Sequence, residues 1–254
     1  MIPSSSKATM ATQGETRIWT KEGSRKREAV RRMFGEIAPS YDRLNGLMTM
    51  SLHRKWRQFA TGLLQLKPGE SVLDLCCGTG DFMPLLQKAV GPTGNVFGAD
   101  FSAPMLGIAQ QKGQPRLTLG DACEIPTRDS IVNAVTVGWG IRNVPDADAA
   151  HREIFRVLKP GGRFVSVDMA RPRNPIVRVV SETVFNTFVP ALGALFGKTQ
   201  AYAYLPKSTQ RFKTREQLED SMRSAGLVDV VHHDLLLGNV CVHFGRKPEG
   251  ARSQ

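Results

Sequence analysis

Two carboxylates and two glycines, Asp74, Gly78, Gly80 and Asp81, fall within eight residues, the first inside and the rest just after the apolar run Val72, Leu73 and Leu75. The run predicts a buried strand that ends in a turn. Glycine reaches positive φ at no steric cost and lets a ligand lie against bare backbone. Asp81 is expected at the start of the following helix, where the first amides are unpaired. Strand, glycine turn and helix N-terminus together make a nucleotide-type site at the carboxyl edge of an α/β sheet. About twenty residues on, Val96-Phe97-Gly98-Ala99 predicts a second strand ending in Asp100, an acid able to accept from both hydroxyls of a ribose. The turn lacks the third Gly of the dinucleotide fingerprint and the Lys of a P-loop. Asp74 and Asp81 would repel a phosphate. They suit a ligand with a cationic end, such as the amino group and sulfonium of S-adenosylmethionine; an ordinary glycine-rich strand-to-helix turn stays open.

The elements that must position these groups follow from periodicity. Val30, Met33, Phe34 and Ile37 share one face of a predicted helix over residues 25–38, which Pro39-Ser40-Tyr41-Asp42 breaks. A second helix over 52–66, capped by Ser51, closes at Pro68-Gly69. Strands are predicted at 71–76, 95–99, 116–119, 132–138 and 163–168, with helices at 81–90, 103–112 and 146–158. This alternation argues for an α/β, doubly wound, mostly parallel sheet. Lys159-Pro160-Gly161-Gly162 stops the 146–158 helix, and Leu227–Leu237 with Asn239–Gly245 predicts a final hairpin through Gly238 with an antiparallel edge strand. Between the fifth strand and that hairpin lies an apolar insertion, residues 174–205, carrying Ile176, Val179, Val180, Val184, Phe185 and Phe188. It is too long for a simple connection. It predicts a lid or channel for a hydrophobic substrate, with contact to a membrane surface as a further option.

The 254 residues fit one large domain: 25–247, with a disordered basic tail at 1–24 and another at 248–254. The net charge of +11 is uneven: residues 1–33 hold eight Lys/Arg against three Glu. Such arms favour anionic lipid or nucleic acid, and the apolar insertion, poor in basic and aromatic interleaving, argues against nucleic acid. The four cysteines form no C-x-x-C pair, which suits a reducing cytoplasm and offers no metal site. No apolar run is long enough to span a bilayer, so any membrane contact is expected to be peripheral.

These residues carry a resemblance. The chain resembles the quinone-biosynthesis C-methyltransferases that act on demethylmenaquinol and on a ubiquinol precursor. The matches are Met33-Phe34-x-x-Ile37-Ala38-x-x-Tyr41-Asp42-x-x-Asn45, His53-x-x-Trp56-Arg57, Gly78-Thr79-Gly80-Asp81, Asp100-Phe101-Ser102-x-x-Met105-Leu106, Gly140-x-Arg142-Asn143-Val144, Arg156 to Gly162, and Tyr202-x-Tyr204-Leu205-x-x-Ser208. They run from about 29 to 247.

The resemblance implies a seven-stranded Rossmann-like fold of the class I S-adenosylmethionine-dependent methyltransferases, a prenylated quinol as substrate, S-adenosylhomocysteine as the spent donor, and no metal. Carried over by position, Asp74, Gly78, Thr79, Gly80 and Phe101 would surround the donor, Asp100 would hold its ribose, and Asp121 with the Ala122 backbone would meet the adenine. Asp121 as a plain helix cap stays open. Arg142 is expected to stabilise a phenolate or orient a water that takes the proton, with Asn143 beside it; an Arg142 ion pair is the plainer alternative. Tyr41, Asp42 and His53 complete that network; His232, His233 and His243 have no expected role. The chain departs from the family at Ile125-Pro126-Thr127-Arg128-Asp129, at Asn133, at Gly138 where a Ser is usual, and at Asp168 where a Glu is usual. These changes are expected to touch the substrate pocket and one donor contact. They motivate a second reading, a non-catalytic subunit that presents a lipid quinone. Naphthoquinol against benzoquinol, and monomer against homodimer, stay open.

Overall fold

The computed structural model describes residues 18–195 and 199–250. Residues 1–17 of the predicted N-terminal tail, Phe196–Lys198 of the insertion and 251–254 lie outside them.

Three helices, α1 (Gly23–Ile37), α2 (Tyr41–Met48) and α3 (Leu52–Leu63), precede the sheet. The sheet and its crossovers follow as β1 (Ser71–Leu75), α4 (Met83–Val90), β2 (Asn95–Asp100), α5 (Ala103–Gln111), β3 (Leu117–Leu119), β4 (Val132–Gly138), α6 (Ala147–Val157) and β5 (Leu158–Met169). Then come α7 (Pro175–Leu195), α8 (Thr199–Arg211), α9 (Arg215–Ser224), β6 (Val228–Leu235) and β7 (Val240–Arg246). The seven strands lie in the order β3-β2-β1-β4-β5-β7-β6, and β7 alone runs antiparallel to its neighbours. This is the seven-stranded, doubly wound α/β architecture the alternation predicts. The chain reverses its winding between β1 and β4, and a crevice opens at the carboxyl ends of those strands.

Each face of the sheet has its own core. Leu73, Leu75, Val135, Val137 and Phe164 pack under α6 and α9 with Ile154, Val157 and Met222. Val72, Val96, Ala134, Val165 and Val167 pack on the other face with Trp56, Ala60, Leu86 and Val90. Strands buried on both faces read as nearly continuous apolar runs. Each such Val or Leu taken from water stabilises the fold by roughly 1.5–3 kcal/mol.

Several boundaries differ from expectation, each for a local reason. Pro39 does not end helical structure: it sits in a 3-10 turn, Ala38–Ser40, where a missing N–H costs little, and the chain continues directly into α2. Ser51 does not cap α3; its backbone is left-handed (φ 61) and its side chain makes no cap bond. Asp81 does not cap α4, which begins two residues later and has Pro84 in its first turn. Asp146 does cap α6, accepting from Asp148 N and Ala149 N. Strand β5 starts at Leu158, so Lys159-Pro160-Gly161-Gly162 is absorbed as an irregular strand start, with Gly161 at φ 73. In the final hairpin the antiparallel strand β7 inserts beside β5 and leaves β6 at the edge. Burial explains the choice: Val240, Cys241, Val242 and His243 of β7 are buried, whereas β6 is largely exposed. Folded chain also begins before residue 25. A turn at Ile18–Thr20 buries Ile18 against Ala29, Val30, Met33 and Tyr204.

Candidate active site

Two cavities open at the carboxyl edge of the sheet. The smaller, about 50 Å³, has Gly78, Asp100, Phe101, Asp121 and Ala122 among its wall residues. Gly78 takes φ 54 and Gly80 φ 79, as the turn requires. A Cβ on Gly80 would meet Gln114 and Ala109 at 3.0 and 3.3 Å, so Gly80 serves the packing of the turn against α5. Asp100 is fixed by two backbone donors, Gly78 N (2.9 Å) to Oδ2 and Ser102 N (2.8 Å) to Oδ1. Each oxygen retains a second lone pair, the pattern needed to accept from two vicinal hydroxyls. Burial pushes its pKa up to about 6, against the pull of those N–H groups.

Asp121 turns back on itself by accepting from Cys123 N (2.8 Å), so it closes a turn and caps no helix. Its other oxygen pairs with Arg27 of α1 at 2.7 Å. A second pin joins the N-terminal helices to the same rim. Lys112 bridges Asp42 (2.5 Å) and Asp81 (2.7 Å), and Thr79 Oγ1 donates to Asp42 Oδ1 at 2.5 Å. Thr79 and Gly80 are not among that cavity's wall residues; Thr79 is held by the second pin and Gly80 packs against Gln114 and Ala109. Arg27 and Asp121 both line the smaller cavity, so their pair ties α1 to its wall.

Asp74 lies deeper, under the turn. Oδ1 accepts from Thr136 Oγ1 at 2.8 Å, Oδ2 has no partner, and burial pushes its pKa up to about 7.

The larger cavity, about 380 Å³, is mainly apolar. Its wall includes Tyr41, His53, Arg57, Arg142, Asn143 and Trp139, and side chains from α2, α7 and α8. Phe34, Tyr41, Trp139 and Asn143 line both cavities. Asn143 builds this partition: its Nδ2 donates to Trp139 O (2.8 Å) and its Oδ1 accepts from Tyr204 OH (3.0 Å). Arg142 is buried in an ion pair with Asp168, donates Nε to Ser208 Oγ (3.1 Å), and sends its backbone N to Asp168 Oδ2 (3.1 Å). The ion pair and the cavity-wall position coexist. Burial raises the Asp168 carboxyl and the Tyr41 phenol above their usual values, opposed at Asp168 by Arg142.

Thr49 Oγ1 lies 2.7 Å from Asn45 O and 2.6 Å from His53 Nδ1. With the hydroxyl proton on Asn45 O, Nδ1–H donates to Thr49 and the Nε2 lone pair is available as an acceptor. Burial lowers the His53 pKa, which keeps the ring neutral.

Sequence reasoning missed the cross-element pins, Arg27–Asp121 and Lys112 with Asp42 and Asp81, whose partners stand 31 to 94 residues apart. It also passed over Arg57 as a site residue, although the stripe His53, Trp56, Arg57, Ala60 puts it on the buried face of α3. The family departures resolve differently from expectation. Asn133 accepts from Ser71 N and Lys159 Nζ at the opposite end of β4 and touches neither cavity. Asp129 is engaged by Arg156, also away from the site. Gly138 does line the smaller cavity, and a Cβ there would meet the Phe82 ring at 3.1 Å, so Phe82 takes the space of the usual Ser. Among the described residues, no group of three or more His, Cys, Asp or Glu is placed to hold a metal.

Solved structures share this architecture. A methyltransferase described as a possible histamine N-methyltransferase, from Thermotoga maritima, superposes with TM-score 0.63 at 21% identity, covering 86% of this chain and 99% of that one. Phosphoethanolamine N-methyltransferase 2 of Haemonchus contortus, solved with S-adenosylhomocysteine, gives 0.57 at 18% identity, over 76% and 52%. At that identity they establish the fold. Sequence relatives go further. The demethylmenaquinone methyltransferase of Lactiplantibacillus plantarum is 39% identical over 226 residues, 86% of this chain and 95% of its own. That of Staphylococcus aureus is 38% identical over 226 residues, 87% and 94%. A model of the ubiE/COQ5 methyltransferase family matches residues 21–247, a range that includes both cavities and the partition between them, and the chain belongs to that family.

Proposed function

We infer that this protein is an S-adenosylmethionine-dependent C-methyltransferase of a prenylated quinol, with demethylmenaquinol as its acceptor. The observation that carries the reading is the shared wall. A small acid-lined pocket and a large apolar one meet at Tyr41, Trp139 and Asn143, the arrangement needed to present a polar donor to a greasy acceptor. The full-length similarity to demethylmenaquinone methyltransferases supports the choice of acceptor.

The donor fits the residues present. Asp100 has lone pairs for the ribose, Asp121 and Ala122 share its wall and would meet the adenine, and the orphaned Asp74 Oδ2 suits a cation. When bound, the donor supplies an electrophilic methyl group on a sulfonium and leaves as S-adenosylhomocysteine. The protein's share is alignment, exclusion of water and management of one proton. A quinol hydroxyl has a phenolic pKa near 10, so its ring carbon becomes a good nucleophile only as that proton leaves. His53 Nε2 is the acceptor for the proton, and Arg142 stabilises the oxyanion that remains, with Asp168 and Ser208 holding the guanidinium still.

The mouth of the apolar cavity indicates how a long prenyl chain enters. Met50, Val180, Val184, Leu236 and Leu237 line it yet are about half exposed or more, reaching 80% at Met50 and 79% at Leu237. Met50, Leu236 and Leu237 also hold positive φ of 47, 49 and 54, a conformation costing bulky residues roughly 1–2 kcal/mol each. No helix among the described residues is long and apolar enough to cross a membrane. The mouth rests on the bilayer surface, and the acceptor slides in tail last.

The test is methyl transfer from labelled donor to chemically reduced demethylmenaquinone and, in parallel, to a reduced demethylated ubiquinone precursor. Product from the naphthoquinol alone supports the assignment; product from the benzoquinol alone moves it to that pathway. For the membrane, Leu237→Asp with Val180→Asp should reduce flotation with anionic lipid vesicles without weakening S-adenosylhomocysteine. Equal flotation would remove the membrane contact.

A further inference from the structure

A third cavity, of about 260 Å³, shares Arg142 and Tyr204 with the apolar one and has a different chemistry. Its charged wall residues are Lys21, Lys26, Arg142, Arg211 and Lys213 against a single acid, Glu22. Four parts of the chain bring them together. The entry to α1 supplies Lys21 and Glu22, and α1 itself supplies Lys26. Arg142 stands between β4 and α6, Arg211 ends α8, and Lys213 lies in the turn into α9. Lys21 and Lys26 belong to the basic N-terminal stretch and have no task in methyl transfer.

Two of these cations are paired with acids outside the cavity wall, Arg142 with Asp168 and Lys213 with Asp148 at 2.8 Å. Counting both acids with Glu22, five cations still stand against three carboxylates. Lys26 carries the imbalance most directly. Its ammonium is held by two carbonyls, Val144 O at 2.6 Å and Arg142 O at 3.3 Å, and by no carboxylate among the described residues. Burial lowers its pKa, and the Arg142 guanidinium lowers it further. A cation strained by a neighbouring cation is relieved by an anion bound near both. An ordinary solvated face would hold its lysines out in water, whereas Lys21, Lys26 and Lys213 are all half-buried. Salt screens such partly buried charges less than exposed ones.

The excess of two positive charges matches a dianion. A phosphate monoester carries about −1.5 to −2 at neutral pH. Lysine binds phosphate as a point charge and arginine as a fork. The volume lies just below the range of small-molecule sites, roughly 300–1,000 Å³, and suits a single headgroup.

We propose that this third cavity is a binding site for a phosphate group, with Lys21 and Lys26 as its principal cations. The site goes beyond the methyl-transfer reading and stands independently of it. The phosphate comes either free from solution or on the headgroup of an anionic lipid, which would hold α1 against the bilayer.

The experiment is calorimetric titration of the full chain with inorganic phosphate. Flotation is run beside it, with phosphatidylcholine vesicles made with and without phosphatidylglycerol. Wild type should bind phosphate saturably at a single site, and chloride at matched ionic strength should not displace it. The double variant Lys21→Gln with Lys26→Gln should weaken phosphate tenfold or more, the loss expected when a charge-assisted contact is removed. A control, Lys67→Gln with Lys88→Gln, removes the same charge from exposed positions outside this cavity and should stay within about twofold of wild type. Lys21→Gln alone, with the same direction of effect, serves if the double variant does not fold. Given that loss of phosphate, flotation with phosphatidylglycerol that falls in the cavity variant and not in the control identifies the lipid headgroup as the source. Flotation unchanged in both identifies free phosphate. Absence of saturable phosphate binding by wild type would overturn the proposal. So would an equal loss in the cavity and control variants, since the charge would then act only as a diffuse field.

Discussion

Replacing Arg142 by Gln separates two things the side chain does. It is buried at 5% exposure, its ion-pair partner Asp168 at 3%. Removing one member of a buried pair costs about 3–5 kcal/mol because the other is stranded. Asp168 is not fully stranded here. It keeps the backbone N–H groups of residues 142 and Met169, and burial already favours its protonated form. The stability loss should therefore sit near the lower end, about 3 kcal/mol. The catalytic loss is separate. A donor removed from a developing oxyanion costs about 2.7–4 kcal/mol, which at about 1.4 kcal/mol per decade is a 10²–10³-fold fall in kcat. Arg142 lines only the acceptor cavity of the two, so S-adenosylhomocysteine affinity should stay within about threefold. Initial rates with labelled donor and reduced demethylmenaquinone, beside calorimetry and a urea melt, give the three numbers. A kcat within threefold of wild type, or a donor affinity that falls as far as kcat, would refute the assignment.

Three further outcomes follow from the same geometry. His53→Gln should lower kcat by 10²-fold or more and flatten the acid limb of its pH profile, since the neutral imidazole is the proton acceptor; an unchanged profile would remove that role. Donor affinity should rise between pH 5.5 and 7.5, because cation and ribose bind ionised carboxylates and Asp74 and Asp100 titrate near 7 and 6. The sign for folding is opposite: these folded-state values lie above the unfolded ones, so their contribution to stability is present at acid pH and is lost as pH rises through 6–7. Titrating S-adenosylhomocysteine binding across that range checks the first statement, and Asp74→Asn should flatten its steeper part. Gly98→Ala should destabilise by about 1–3 kcal/mol, because its Cβ would meet Leu117, Cys77 and Met83 at 2.8 to 3.0 Å; a neutral melt would mean the turn relaxes.

The fold was legible where burial is carried by local pattern. Strands such as Val132–Gly138 are mostly apolar and buried on both faces, and the helix predicted at 146–158 falls on α6 with its buried stripe. It was not legible where the outcome depends on a distant partner. Whether β6 or β7 takes the sheet edge is settled by what β5 offers to pair with, and no spacing within 227–247 encodes that. Asp81 illustrates the same limit. Its position before an apolar run suggested a cap, but Phe82 and Pro84 start the helix later and Lys112, 31 residues on, claims the carboxylate. Of the residues singled out for the donor, the structure brings Gly78, Asp100, Phe101, Asp121 and Ala122 to one wall, while Thr79, Gly80 and Asp74 are not among its residues. Arg142, Asn143 and Tyr41 reach the other cavity. The departures at Asn133 and Asp129 looked functional only because sequence order hides which end of a strand a residue occupies.

The most direct test is a single-turnover experiment with labelled S-adenosylmethionine and demethylmenaquinone presented in both redox states. The account predicts that label enters the ring as a C-methyl group with the reduced quinol and not with the oxidised quinone, since only the quinol has a hydroxyl proton for His53 to take and an oxyanion for Arg142 to hold. Equal labelling of both forms, or no labelling of either by protein that binds S-adenosylhomocysteine, would contradict it.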